Sequence, residues 1–288
     1  MRAETGAMAG SGRAMLQPLS ENKSYKELAL RIASALVLIP LVVLATVWGS
    51  WLFLVLVSVA VALLAVEWGL MTAPRYPGRM AISVTLGILA ALFAGVLDRP
   101  VSALTMLVFG AVASALYARA MKGAPADAAY GVLYIGLPAF GLIWLRGTPD
   151  GLEWALFAFI VAWSSDSAAY LIGKLLGGPK LWRRISPKKT WSGFAGGMMA
   201  GLLSAVALSD VTGLFSSATM AALIGLLTAL ATMAGDLWES MLKRRYGVKD
   251  SGHLIPGHGG LLDRVDGLMF AVLAVVIVRL AGLAGGGV

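Results

Sequence analysis

A chain of 288 residues that is 59% hydrophobic and 13% charged, with a mean hydropathy of +0.82, is too apolar for a soluble domain and reads as an all-α polytopic membrane protein. It has no cysteine, which excludes disulfide frameworks, cysteine-ligated zinc and thiol nucleophiles. Its two histidines, His253 and His258, make a poor soft-metal site, so any metal here should be bound by oxygen.

The segment before Lys23 is polar and mixed, with no apolar core beside a small-residue cleavage site, and is expected to be a cytoplasmic tail rather than a signal peptide. Crossing a hydrocarbon core of ~30 Å takes roughly 17–25 apolar residues. Nine such runs follow, near 32–48, 51–72, 81–97, 101–117, 128–145, 152–173, 193–208, 217–238 and 262–283. No internal repeat is visible. With the N-terminus cytoplasmic and the C-terminus outside, all of the 23 basic residues except Arg99, Arg146 and Arg279 fall on the cytoplasmic side, as the positive-inside rule requires. The net charge of +8 is then mostly topological and needs no nucleic-acid partner.

Two basic segments differ from the rest. The first, WSSDSAAYLIGKLLGGPKLWRRISPKKTWSGFAGG at 163–197, begins with Asp166 well inside an apolar helix, where a carboxylate is costly and usually faces a bundle interior or an aqueous cavity. A bond to Ser165 or Tyr170 is the structural alternative. Six cations then fall within sixteen residues, from Lys174 to Lys189, beside glycines and hydroxyls. Such a run suits a polyphosphate, the cations supplying charge and the free backbone amides fixed donors, although a patch for anionic lipid headgroups would look the same.

The second segment starts in the eighth run, where Asp236, Glu239, Ser240 and Lys243 share one helical face. It continues through KDSGHLIPGHGGLLDRVDG at 249–267, whose Asp263 and Asp266 share a face at the start of the ninth helix. Capping and dipole compensation account for one acid there, but not for Asp236 as well. Asp236, Asp263 and Asp266 among cations fit a hard-cation site of Mg²⁺ type. Glu67 in the second run has no such company in sequence, and a structural or interfacial role is expected for it.

Ser240, Lys243-Arg244, Lys249-Asp250, Gly252, Pro256, His258-Gly259-Gly260, Asp263-Arg264 and Asp266, in register over 27 residues, resemble the signature of the phosphatidate cytidylyltransferase family, the CDP-diacylglycerol synthases. The resemblance extends to Asp166-Ser167-Ala168-Ala169-Tyr170 and to SPKKT at 186–190, while the first 150 residues match only as apolar helices. One departure is Ser192, where family members usually carry a glutamate.

The resemblance implies condensation of CTP with phosphatidic acid to CDP-diacylglycerol and pyrophosphate, with Mg²⁺ essential. Resemblance and spacing together assign Asp236, Asp263 and Asp266 to the metal and to catalysis with Lys249. Lys188, Lys189, Lys243, Arg244 and Lys249 would hold phosphates. Thr190, Ser240, His258, Gly259, Gly260 and Arg264 complete the substrate-binding set, with Asp166 and Asp250 orienting lysines or water. A second ion and a homodimer are left open, as are a related CTP-dependent lipid kinase, another CDP-lipid synthase, or a transporter of a phosphorylated metabolite.

The organisation expected is a cytoplasmic tail at 1–28, N-terminal transmembrane helices at 29–150, and a C-terminal transmembrane catalytic region at 151–288 with cytoplasmic loops at 174–192 and 243–262. The setting implied is a bacterial cytoplasmic membrane, the lipid bilayer being itself a partner, with the active site facing the cytoplasm. Nine crossings place the chain ends on opposite sides, so reporter fusions at Met1 and Val288 should report opposite compartments. The same compartment at both ends would mean that one helix does not cross.

Overall fold

The computed structural model describes residues 36–97, 99–252, 254 and 259–282. Nine helices and one short hairpin are described there: α1 Leu36–Trp48, α2 Ser50–Thr72, α3 Pro77–Val96, α4 Pro100–Ala120, α5 Pro125–Gly147, α6 Gly151–Leu176, β1 Lys180–Trp182, β2 Ser186–Thr190, α7 Trp191–Thr212, α8 Ala218–Arg245 and α9 Leu262–Leu280. The helices match the nine apolar runs. Seven of them, α2 to α8, are long and apolar enough to cross a membrane. α1 is short over its described length, and α9 carries Asp263, Arg264, Asp266 and Arg279 within its 19 residues.

Two boundaries differ from expectation, and both concern charged sequence. α8 runs on to Arg245, so the loop expected from 243 begins later and Lys243 is helical, as its shared face with Asp236 implies, the charge of Lys243 and Arg244 suiting the negative end of the helix dipole. The segment at 174–192 is not a plain loop. After the left-handed Gly177, β1 and β2 pair antiparallel with Lys180 opposite Thr190 and Trp182 opposite Ser186. Thr190 then caps α7, its hydroxyl accepting from Gly193 N at 3.2 Å.

From α2 to α9, helices that follow one another in sequence pack as neighbours, and α9 also lies against α5 and α6. The buried apolar residues form two clusters. One joins α2 to α5 with Leu242, Leu262 and Met269, and the other joins α6, α7 and α8 with Val272, Val275 and Val278. α9 therefore has its first turns in one cluster and its last turns in the other, and joins the two.

With hydrocarbon outside, burying apolar surface gives little reason for helices to associate, and close backbone approach through small residues replaces it. The α3–α4 crossing does this at Gly87 and Gly110, where a Cβ on Gly110 would collide with the Gly87 backbone. At the α8–α9 crossing, a Cβ on Gly235 would collide with the Asp266 carbonyl oxygen. That second contact places the polar corner of the molecule.

Candidate active site

Because Gly235 lies against the Asp266 backbone, the residue after it, Asp236, is brought beside the Asp266 side chain. Asp266 is 7% exposed, and one of its carboxylate oxygens accepts from Gly267 N at 2.8 Å. α6 adds Asp166, whose Oδ2 would lie 3.4 Å from a Cβ on Gly267. Asp166 is deep in the bundle yet accessible, because it opens into a cavity. Its expected alternative fails: the Ser165 hydroxyl is buried with no hydrogen-bond partner, and Tyr170 is 70% exposed. Three carboxylates from three helices thus lie within electrostatic reach of one another. Lys189 reaches in from β2 to pair with Asp236.

One turn further along α8 a second cluster forms. The Lys243 ammonium lies 2.5 Å from Glu239 and 2.5 Å from Asp263. Asp263 gives its other oxygen to the loop, accepting from Ser251 N at 3.2 Å and Gly260 N at 3.3 Å. Glu239 is 1% exposed, and neither of its oxygens makes an aligned hydrogen bond. Charge attraction to Lys243 is what compensates it. The face shared by Asp236, Glu239, Ser240 and Lys243 therefore divides: Asp236 and Lys243 line the cavity, while Glu239 is buried beneath it and Ser240 is half-buried away from it.

The cavity has a volume of about 690 Å³. Among the residues expected to act, Asp166, Asp236, Asp263, Asp266, Lys188, Lys189, Thr190, Lys243, Asp250, Gly259 and Arg264 line it. Lys249 and Arg244 are exposed and do not line it, nor does the buried Gly260. His253 and His258 lie outside the described residues.

The cavity also has Lys174 and Lys180 on its wall, which the sequence reading did not single out. Both stood in the basic run. The signal that picks out Lys180 is the hairpin register, which sets it opposite Thr190 and hence on that residue's side of the sheet. Tyr170, Leu181, Phe194 and Met233 give the cavity an apolar part. Ser192 is not part of the lining: its hydroxyl donates to the Gly177 carbonyl and lies 3.0 Å from the Thr190 hydroxyl, tying the turn to the α7 cap.

Behind the site, the Tyr246 hydroxyl donates to Asp127 at 2.7 Å, and the Trp68 indole N–H donates to the Asp127 carbonyl at 3.0 Å, fixing the end of α8 to α5 and α2. Burial and the Asp127 contact push the Tyr246 pKa up, so the phenol stays a donor throughout the physiological range.

No three of the described Asp, Glu or His side chains already converge as a metal centre. The donor set nevertheless suits a hard cation. It consists of oxygen alone, and Mg²⁺ commonly takes one or two carboxylates and completes its shell with water and substrate phosphate. Asp236 and Asp266 supply such a pair, with Asp166 adding negative charge beside them.

Seven helices able to cross a membrane, around a cavity with acids and lysines on its walls, define an integral membrane protein with a charged site. The chain belongs to the cytidylyltransferase family, whose profile matches residues 29–281. It is similar to the phosphatidate cytidylyltransferase of Brucella suis, with 38% identity over 236 residues that cover 78% of this chain and 85% of the relative. The corresponding protein of Brucella abortus is equally similar, at 38%. That of Staphylococcus saprophyticus is 40% identical over 147 residues, 51% of this chain and 56% of its own.

Because Lys243 is the cation between two largely buried acids, Lys243→Met should destabilise the protein strongly, by about 3–5 kcal/mol as for a broken buried pair. Glu239→Gln in the same chain should restore part of that loss. Thermal unfolding in detergent tests both variants, and strictly additive losses would show that the two side chains do not compensate each other.

Proposed function

We propose that this protein is a phosphatidate cytidylyltransferase that condenses CTP with phosphatidate to give CDP-diacylglycerol and pyrophosphate. The observation that carries the reading is the cavity of a cytidylyltransferase-family chain, in which membrane-crossing helices set carboxylates among lysines beside an apolar wall. One substrate comes from water and the other stays in the bilayer, so the reaction belongs at such a boundary.

In this reaction a phosphatidate oxygen forms a bond to the α-phosphorus of CTP as the bond from that phosphorus to the β-phosphate bridging oxygen breaks. Both reactants are anions, and the first requirement is to bring them together. Lys188, Lys189 and Lys243 hold the CTP phosphates and meet the charge that develops on pyrophosphate as it leaves. Thr190, Gly259 and Arg264 line the same space and complete the polyphosphate contacts. Asp236 and Asp266 would hold Mg²⁺, and Asp263 would join them when Lys243 turns to a phosphate. When bound, the ion supplies charge neutralisation at the phosphates. Asp166 orients Lys189 and Arg264, which lie within its electrostatic reach. The positive-inside distribution supports a cytoplasmic active site in a bacterial cytoplasmic membrane, where CTP is available.

Pyrophosphate release by the purified protein tests this reading. Release should require CTP, phosphatidate and Mg²⁺ together. Asp236→Asn and Asp266→Asn should each lower it more than about tenfold, a loss of ~1.4 kcal/mol or more. The double variant should lose less than the sum of the two, because they serve one ion. Uptake of a phosphorylated solute by reconstituted vesicles, with no pyrophosphate formed, would instead favour transport.

The pH dependence follows from the nucleophile. A phosphate monoester has its second pKa near ~6, so phosphatidate is largely ready to attack at neutral pH and needs no base to take its proton. The rate should rise as pH passes upward through that value and then level off. The rise should persist in His258→Gln, since that histidine is assigned to loop shape or to a phosphate hydrogen bond. A loss of about a thousandfold in folded, Mg²⁺-replete His258→Gln protein, together with loss of the rising limb, would make the histidine a general base instead.

A further inference from the structure

Glu67 lies in α2, in the half of the chain that supplies none of the side chains assigned above, and it is completely buried. One carboxylate oxygen accepts from Leu261 N at 2.7 Å. The other accepts from Leu262 N at 2.7 Å and from the Ser251 hydroxyl at 3.1 Å. The two amides belong to the first turn of α9, where N–H groups have no partner within the helix, and Leu261 at the N-cap offers no side-chain cap. A residue nearly two hundred positions away does the capping.

The fit around this carboxylate is close. A Cβ on Gly252 or on Gly260 would come within 2.9 Å of the Glu67 side chain, so glycine is what lets both strands of the loop approach it. Ser251 is shared with the site. Its hydroxyl donates to Glu67 while its backbone N–H donates to Asp263, whose same oxygen also accepts from Gly260 N. The chain of bonds therefore runs from α2 through the loop to Asp263, and Asp266 follows on the next turn of α9.

We infer that Glu67 is a positioning residue for the proposed reaction: by binding the first turn of α9 and the glycine loop to α2, it fixes the rotation and depth at which Asp263 and Asp266 face the cavity. It lines no part of the cavity itself. The charge matters as well as the shape. A carboxylate offers acceptors on both oxygens and is favoured at the positive end of a helix dipole. Glutamine would keep the volume but turn an NH₂ group toward an N–H donor, and aspartate would fall one methylene short.

The inference rests on the proposed function for its kinetic arm, and hydrogen exchange supplies an arm that does not. In full-length Glu67→Gln protein, amide exchange should quicken by about tenfold or more in peptides covering 251–263, as for a lost interaction of ~1.4 kcal/mol. Peptides from α3, α4 and α7 should exchange as in the wild type. Turnover per folded molecule should fall by about tenfold with a smaller rise in KM for CTP, because the lysines that hold its phosphates are carried by β2 and α8 while Arg264 and Gly259 shift with the start of α9.

Unchanged exchange at 251–263 would overturn the inference. So would faster exchange throughout the helices with wild-type turnover per folded molecule, which describes a purely structural residue. If Glu67→Gln does not fold, Ser251→Ala decides, since it removes one of the three bonds. It should quicken the same peptide and lower turnover severalfold, and wild-type behaviour in both would count against the inference. A wild-type protein that makes no CDP-diacylglycerol would sink the functional reading alone, and the exchange arm would still test whether Glu67 holds α9.

Discussion

A carboxylate within an apolar helix bundle has to be compensated, and in this protein the partners of five acids tie the polar end of the bundle together. Glu67 is met by the amides of α9 and the Ser251 hydroxyl. Lys243 meets Glu239 and Asp263, and Lys189 meets Asp236. Asp266 accepts from the backbone N–H of Gly267 and has Asp236, Glu239 and Asp166 as acidic neighbours. Asp266 thus stands among three other acids, and a cation bound there would offset their mutual repulsion.

The lysines show the complementary pattern. Lys174, Lys180 and Lys188 reach the cavity from the end of α6 and from the hairpin, so one part of the cavity concentrates positive charge while the α8–α9 corner concentrates negative charge. A phosphate paired with a divalent ion matches that arrangement, with its anion toward the lysines and its metal toward the acids. The leucine, phenylalanine and methionine of the remaining wall have no donor for phosphate, but they suit the glycerol and acyl end of a lipid.

The helices were legible because hydrocarbon demands long apolar runs, and nine such runs became nine helices among the described residues. The acids of α8 and α9 were legible because residues three and four positions apart share a helical face, and Asp236 and Asp266 do line one cavity. What escaped was whatever depends on contacts distant in sequence. Periodicity within α2 cannot reveal that Glu67 meets residues 184 to 195 positions away. The hairpin was hidden because strands of three and five residues, one containing Pro187, carry no pattern strong enough to separate them from a loop. The last turns of α8 were legible only through the polar face that reaches Lys243, because the hydrophobic signal ends before the helix does.

Nucleotidyl transfer to a lipid at this cavity is the central claim, and the fate of a labelled phosphorus tests it most directly. Purified protein would be given phosphatidate and Mg²⁺ with CTP labelled at either the α- or the γ-phosphorus. The α-label should pass into the lipid fraction and the γ-label into pyrophosphate. Recovery of the γ-label in lipid would mean phosphoryl transfer by a CTP-dependent kinase and would contradict the account.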